Sequence, residues 1–152
     1  TARLTLSGRA IRAGAQDMET LKTRYHATFP KSKLYLTLPD TAFYRLVVEG
    51  IQMNGGPARN ANDMLPEHLL TDVSDADDLM RRHTEAIALL NEGDRPQQLA
   101  NLAGAAADRW RVVSVDPDGV DLATPAKATR YWFAERVTSI DRLGRGLIQT
   151  IV

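Results

Sequence analysis

The chain has 152 residues, and its 19 Lys+Arg balance its 19 Asp+Glu, so the formal net charge at pH 7 is zero. A neutral chain has no global field that would attract nucleic acid or an anionic membrane, and neither is expected as a partner. Cysteine is absent, which excludes disulfides, thiolate metal sites and iron–sulfur clusters. No apolar run is long enough to cross a bilayer, so a soluble, cytoplasmic protein is expected.

The first half of the sequence predicts two strands with a helix between them. Alternating apolar residues predict a strand over residues 3–11, which Gly8 interrupts with a bulge or a close backbone contact. Apolar residues at helical spacing predict a helix over residues 17–29, with Asp17 as its N-cap. Residues 42–53 are rich in aromatic and β-branched side chains and predict the second strand.

The second half predicts two helices, three strands and a last helix. Ser74 followed by Asp77 resembles a capping box, which would open a helix over residues 74–90. Gly93 ends that helix, and Pro96 fits the first turn of the next one. Strands are then predicted over residues 110–115, 120–123 and 129–133, and a final helix from about residue 139.

The stretch "DPDGVD" brings three carboxylates together between two predicted strands. Asp116, Pro117 and Gly119 fit the preferred positions of a type I turn, so the strands should pair as a hairpin. An EF-hand calcium loop needs an oxygen ligand at its fifth position and glycine at its sixth, whereas here Val120 is fifth. The pattern therefore favours a turn, and no metal site is predicted.

The three histidines follow no metal-binding or catalytic spacing. His26, His68 and His83 show neither H-x-H nor H-E-x-x-H, so each is expected on a helix surface or partly buried. His83 shares a helical face with Leu79 and Ile87, which favours a buried histidine with satisfied hydrogen bonds. A single imidazole can ligate haem iron, and the sequence does not choose among the three. Catalytic residues are not identified, since no nucleophile elbow, Walker loop or dinucleotide-binding glycine motif is present.

The stretch "QMNGGPARNAN" follows the second strand and allows two interpretations. The glycine pair Gly55-Gly56 lets a ligand approach the backbone, and Arg59 can hold a phosphate or carboxylate with two hydrogen bonds. Gly, Pro and Asn are equally typical of an ordinary surface loop. The residues alone do not distinguish a cofactor-binding loop from an ordinary turn.

Taken in order, "RLTLSGRA" and "LKTRYHATFPKSKLYLTLPDTAFYRLVVEGIQMNGGPARNA" resemble the FMN-binding split-barrel proteins related to pyridoxamine 5′-phosphate oxidase, in particular their haem-utilisation branch. That branch has a loop close to Asn-Gly-Gly-Phe-Gly-Arg-Ala after an aromatic strand. The second half, including "VDPDGVDL", resembles the branch's small C-terminal α/β domain. The resemblance covers nearly the whole chain, and the order of the motifs carries it.

The resemblance implies an α+β fold. Residues 1–72 would form the back half of a split β-barrel whose N-terminal strands precede this chain, so that the chain is the C-terminal portion of the family's protein. Residues 73–152 would form the small α/β domain, with a three-stranded antiparallel sheet and helices.

The resemblance further implies a homodimeric flavoprotein that binds FMN and carries out redox chemistry linked to haem utilisation. The residues that match the cofactor loop are Asn54, Gly55, Gly56 and Arg59, and Arg59 would bind an anionic group of the cofactor or of a tetrapyrrole substrate. The alternative is a non-catalytic haem-binding or regulatory interaction module, so an FMN-dependent oxidoreductase and a protein without enzymatic activity both stay open. That alternative is motivated by "LLNEGD", which stands where the branch carries two histidines and where only Asn91 and Glu92 match.

Overall fold

The computed structural model describes residues 3–54, 60, 61 and 64–151, with the backbone alone at 60, 61 and 146–151. The chain divides into two compact units, Thr1–Lys22 with Leu34–Thr71 and Thr23–Lys33 with Asp72–Val152. The described residues form two three-stranded antiparallel sheets, neither of which closes into a barrel, and the fold class is α+β. The strands are β1 (Arg3–Arg12), β2 (Tyr44–Asn54), β3 (Asn60–Ala61), β4 (Arg111–Asp116), β5 (Gly119–Ala123) and β6 (Ala128–Trp132). The helices are α1 (Met18–Thr28), α2 (Lys33–Leu36), α3 (Asp77–Arg81), α4 (His83–Leu90), α5 (Arg95–Leu102) and α6 (Ile140–Ile151).

The sheet of the first unit has the order β1-β2-β3 and contains a bulge opposite Gly8. Ser7 pairs with Gly50 and Gly8 pairs with Val48, so Glu49 is the extra residue, and it lies on β2. A Cβ atom on Gly8 would collide with the carbonyl oxygen of Val47. The predicted irregularity at Gly8 is therefore confirmed, and the close backbone contact explains why glycine is needed there.

The bulge determines which side chains of β1 and β2 share a face of the sheet. Side chains alternate along a strand, so the extra residue in β2 shifts the face on which its later residues lie. Ile51 is buried at 8% exposure, whereas most of the other large side chains around it are exposed. The apolar face consists of Leu4, Leu6, Gly8, Ala10, Leu46, Val48, Ile51 and Met53, with Arg12 and Tyr44 at one end. The arginine face, on the other side, consists of Arg3, Thr5, Ser7, Arg9, Ile11, Arg45, Val47, Gly50, Gln52 and Asn54.

The second unit has the more completely buried core. Its sheet has the order β4-β5-β6, and side chains from helices and strands meet in one apolar cluster. The large side chains that are fully buried include Leu79, Leu90, Leu99, Leu122, Leu143, Val112, Val115 and Val120. Burying each such side chain contributes roughly 1.5–3 kcal/mol, so this unit has a substantial hydrophobic contribution to its stability.

The turn between β4 and β5 is the one that the sequence predicts. The carboxylate of Asp116 accepts hydrogen bonds from the backbone N–H groups of Asp118 at 2.9 Å and Gly119 at 3.1 Å. Arg130 binds both oxygens of Asp116 at 2.7 Å and reaches Asp121 at 2.8 Å. These carboxylates are therefore engaged by backbone and arginine donors. No group of three or more metal-ligating side chains among the described residues could hold an ion.

The structure corrects two predictions about the first helices of the second unit. The single helix over residues 74–90 is wrong, because the chain leaves helical geometry at Arg82 (φ −96°, ψ 22°) between α3 and α4. The capping box is also wrong, because Ala76 occupies the N-cap position of α3 without a side-chain cap. Ser74 instead donates its backbone N–H to the carboxylate of Asp72 at 2.9 Å.

At the other helix ends, the structure contradicts one prediction made from local sequence and confirms two. Asp17 is not the N-cap of α1, because it ends a 3-10 turn, Ala15–Asp17, that leads directly into the helix. Gly93 does adopt a left-handed conformation after α4 (φ 56°), and Pro96 lies in the first turn of α5, as predicted. The carboxylate of Asp78 accepts the backbone N–H of Ile140 at 3.1 Å, so it caps α6 rather than its own helix.

Candidate functional site

The predicted cofactor loop begins where β2 ends. Asn54 is the last residue of β2, is half-buried, and pairs with Arg3 on one side and with the backbone of Asn60 on the other. Gly55, Gly56 and Arg59 lie outside the described residues. The structure thus locates the first residue of the predicted site at the end of a sheet, and the assignment of the site stays a prediction.

Asn54 suits a site for a cofactor that presents both hydrogen-bond donors and acceptors. Its amide supplies two N–H donors and a carbonyl acceptor, and its position at the end of β2 leaves it half-accessible. Phosphate is a favoured partner of arginine because the guanidinium can donate two parallel hydrogen bonds. Asn54 can therefore donate to and accept from a ligand at this end of the sheet, and the assignment of Arg59 to an anionic group stays a prediction.

His83 is the buried, satisfied histidine that the sequence predicts. Its side chain is 7% exposed, and its Nε2 accepts a hydrogen bond from the N–H of Val115 at 3.5 Å and lies 3.4 Å from Oγ of Ser114. Nε2 is therefore engaged against β4. Burial, followed by the nearby charge of Arg24, lowers the pKa of His83 below its ordinary value. This histidine cannot ligate an exogenous metal without leaving its place against β4.

The lowered pKa of His83 predicts a pH dependence of stability. Because the unfolded chain binds this proton more readily, the stabilisation is complete above about pH 6.5 and is lost as the pH falls below that value. Between about pH 7.5 and pH 5, the urea midpoint of the wild type should therefore fall further than that of His83→Gln. The matched control is His68→Gln, because His68 is exposed; equal pH dependence in all three proteins would contradict the assignment.

The other two histidines differ in their free nitrogen atoms. His68 accepts the backbone N–H of Leu65 at its Nδ1, at 3.1 Å, which places its proton on Nε2 in the neutral form. In that tautomer Nε2 has no lone pair for a metal. His26 is half-buried, and its Nδ1 is buried without a hydrogen-bond partner among the described residues. Of the three, His26 alone has a buried ring nitrogen without a hydrogen-bond partner among the described residues.

Asn91 has a structural role that sequence reasoning did not find. Its amide donates to the carbonyl oxygens of Ile87 and Val112, each at 2.9 Å, and accepts the N–H of Val112 at 3.0 Å. One side chain thus satisfies both backbone groups of a residue on β4 and ties the end of α4 to that strand. Glu92 pairs with Arg95 at 2.9 Å. The two residues that match the branch's histidine motif therefore stabilise the second unit.

A shallow cleft of about 660 Å³ lies in the second unit, beside α4 and α6. It is lined by Arg82, Glu85, Ala88, Leu89, Glu92, Ile140, Asp141, Gly144 and Arg145. Arg82 is already paired with Glu85 at 2.6 Å, and hydrogen bonding to that carboxylate is the main cause that raises the pKa of Arg82. The cleft contains none of the residues that the sequence singled out as site candidates. Among the described helices, none is both long and apolar enough to cross a membrane.

Comparisons with known proteins agree with the α+β class and assign no activity. No protein-family model matches the chain, and no curated protein matches it. The crystal structure of Atu2129 from Agrobacterium tumefaciens str. C58, a protein of unknown function, is 44% identical over 97% of this chain, with a TM-score of 0.87. This chain spans 61% of that protein's length. The fold is therefore shared with a bacterial protein whose function is unknown.

A haem-binding protein from Mycobacterium smegmatis is also similar to this chain. It is 24% identical over 99% of this chain and 64% of its own, with a TM-score of 0.44. A structural likeness at that level carries no argument about the fold or the ligand of this chain.

Proposed function

We propose that the chain belongs to an FMN-binding, homodimeric split-barrel flavoprotein of the pyridoxamine 5′-phosphate oxidase type, which carries out redox chemistry linked to haem utilisation in the cytoplasm. Residues 1–72 supply the back half of the barrel, and residues 73–152 supply the small α/β domain. The bound isoalloxazine ring would supply the electron transfer. Asn54, Gly55, Gly56 and Arg59 would contact the cofactor, with Arg59 on its phosphate or on an anionic substrate.

One observation carries this proposal: β1 and β2 form a bulged ribbon with a continuous apolar face, and β2 ends at Asn54. In a barrel, one face of every strand points inward and must be apolar, and here Leu4 and Leu6 are exposed at 48% and 40% on that face. Those side chains have the pattern expected of a barrel interior. The sequence that resembles the family's cofactor loop begins at the end of this same ribbon.

The proposal predicts a flavin band and a role for Arg59. The full-length natural protein, incubated with FMN and passed over a desalting column, should retain a visible flavin spectrum. Arg59→Ala should raise the dissociation constant for FMN about tenfold or more, because a charge-assisted hydrogen bond to phosphate is lost. Riboflavin, which has no phosphate, should bind both proteins equally.

Arg142→Ala is the matched control, because Arg142 is an exposed arginine of α6 and should leave FMN binding unchanged. Absence of a flavin band in the wild type would overturn the proposal. A Soret shift on haem addition that His26→Ala abolishes, with no flavin band, would support the non-catalytic haem-binding alternative. His26 is the variant tested because its Nδ1, although buried, has no hydrogen bond among the described residues that would be lost on moving to a metal.

A further inference from the structure

The arginine face of β1 and β2 carries excess positive charge in a chain that is neutral overall. Arg3, Arg9 and Arg45 lie on this face, and Glu49, the bulge residue, binds Nε of Arg9 at 2.6 Å. All three arginines are exposed. Among the described residues, Arg3 and Arg45 have no ion-pair partner. The charge is thus concentrated by the strand register and only partly neutralised.

Two of these arginines are close enough to bind one anion together. Arg9 pairs with Val47 and Ile11 pairs with Arg45, so Arg9 and Arg45 are diagonal neighbours across the two strands. Their Cβ atoms are therefore about 7–8 Å apart, within reach of long side chains. Like charges at that spacing repel each other unless an anion lies between them. Glu49 uses only Nε of Arg9, which leaves its terminal amino groups as donors.

Val47 and Ile11 lie directly opposite the two arginines, and small polar residues follow along the same face. Thr5 and Ser7 on β1 lie beside Gly50 on β2, where a Cβ atom would approach Oγ of Ser7 at 2.6 Å. The tract continues for about 20 Å, the length of six strand residues, to Arg3 and Asn54 at its other end. An extended molecule on this tract would pass Val47 and Gln52 on β2, while Thr5, Ser7 and Gly50 present small side chains or none.

We infer that the arginine face binds an extended organic anion, with a phosphate or carboxylate group held between Arg9 and Arg45 and the body of the molecule lying over Thr5, Ser7 and Gly50 toward Arg3. Its anchoring pair, Arg9 and Arg45, lies at the opposite end of β1 and β2 from Asn54, the proposed flavin contact. It depends on the register of β1 and β2 and on their charges. Its test is independent of flavin binding.

The test is a titration of the isotope-labelled full chain with inorganic pyrophosphate, followed by backbone amide chemical shifts at constant ionic strength. Saturable shifts should be confined to β1 and β2. Arg45→Gln should raise the midpoint about tenfold, because one of the two charge-assisted contacts is lost, while Arg142→Gln should leave it unchanged. A parallel titration with citrate tells whether carboxylate binds as well as phosphate, with the same dependence on Arg45.

Two results would overturn the inference. One is the absence of saturable shifts on β1 and β2 with either anion. The other is equal midpoints for Arg45→Gln and Arg142→Gln, which would indicate nonspecific electrostatic association of the anion with the protein surface. Melting temperatures of both variants establish that they are folded, and a conservative Arg45→Lys variant should recover part of the affinity because it restores the charge without the second hydrogen bond. Pyrophosphate contains no flavin, so this result and the FMN result can fail separately.

Discussion

Asn91→Ala should lower the free energy of unfolding of the second unit by about 2–3 kcal/mol, a large effect for a residue that is only half-buried. The substitution removes three hydrogen bonds at once. It also leaves the N–H and the C=O of Val112 without partners in a residue that is 2% exposed. An unsatisfied buried backbone group costs more than the net gain from an ordinary hydrogen bond, which is why the expected loss is large. Urea unfolding followed by circular dichroism measures it.

Asn101→Ala is the matched control, because Asn101 is exposed and accepts a single side-chain hydrogen bond from Gln97. It should change the free energy of unfolding by less than about 0.5 kcal/mol. Asn91→Asp should resemble Asn91→Ala, since a carboxylate can accept from the N–H of Val112 but cannot donate to two carbonyl groups. Equal stability of the Asn91 and Asn101 variants would show that the contacts to Val112 contribute nothing.

Local chemistry made much of the second unit predictable from sequence. The turn at Asp116 follows from the preferences of Asp, Pro and Gly at fixed positions, and Gly93 and Pro96 mark helix ends for equally local reasons. The buried state of His83 follows from helical periodicity, which needs only a few neighbouring residues. Each of these features is determined by residues that lie close together in the sequence, within one or two helical turns of each other.

The features that sequence reasoning missed depend on partners far along the chain. Asn91 bonds to Val112, and Asp78 caps a helix that begins 62 residues later. The capping box expected at Ser74 and Asp77 does not form, because the backbone of Ser74 binds Asp72 and the helix begins after Ala76. Propensity and spacing describe what a segment can do in isolation, and tertiary contacts then select among those states.

The candidate site was predictable only through resemblance. Alternating apolar residues predict the strand β1 and its irregularity at Gly8, yet they do not reveal that the extra residue is Glu49 on the partner strand. The arginine face therefore cannot be predicted from the sequence. Arg9 and Arg45 are 36 positions apart, and they become neighbours only because of that register. The loop that carries Arg59 is identified only by its place in the order of motifs shared with the family. Its assignment as a cofactor-binding loop is still a prediction.

Gly8→Ala should destabilise the first unit by about 2 kcal/mol or more, because the new methyl group would collide with the backbone carbonyl of Val47 rather than with a movable side chain. The ribbon could relieve the collision only by separating the strands or losing the bulge. Loss of the bulge would move Leu46 and Val48 to the other face, away from Leu4 and Leu6. Faster amide hydrogen exchange throughout β1 and β2 is the expected result.

A second glycine provides a matched control with the opposite expected sign. Gly144 lies inside α6, and a Cβ atom there would meet no atom within 4 Å. Gly144→Ala should therefore stabilise its helix by up to about 1 kcal/mol, because alanine loses less conformational freedom than glycine in a helix. Unchanged exchange in β1 and β2 of Gly8→Ala would contradict this register of the two strands. Since the apolar and arginine faces both depend on that register, such a result would also remove the structural basis for the proposed barrel wall and for the anion site.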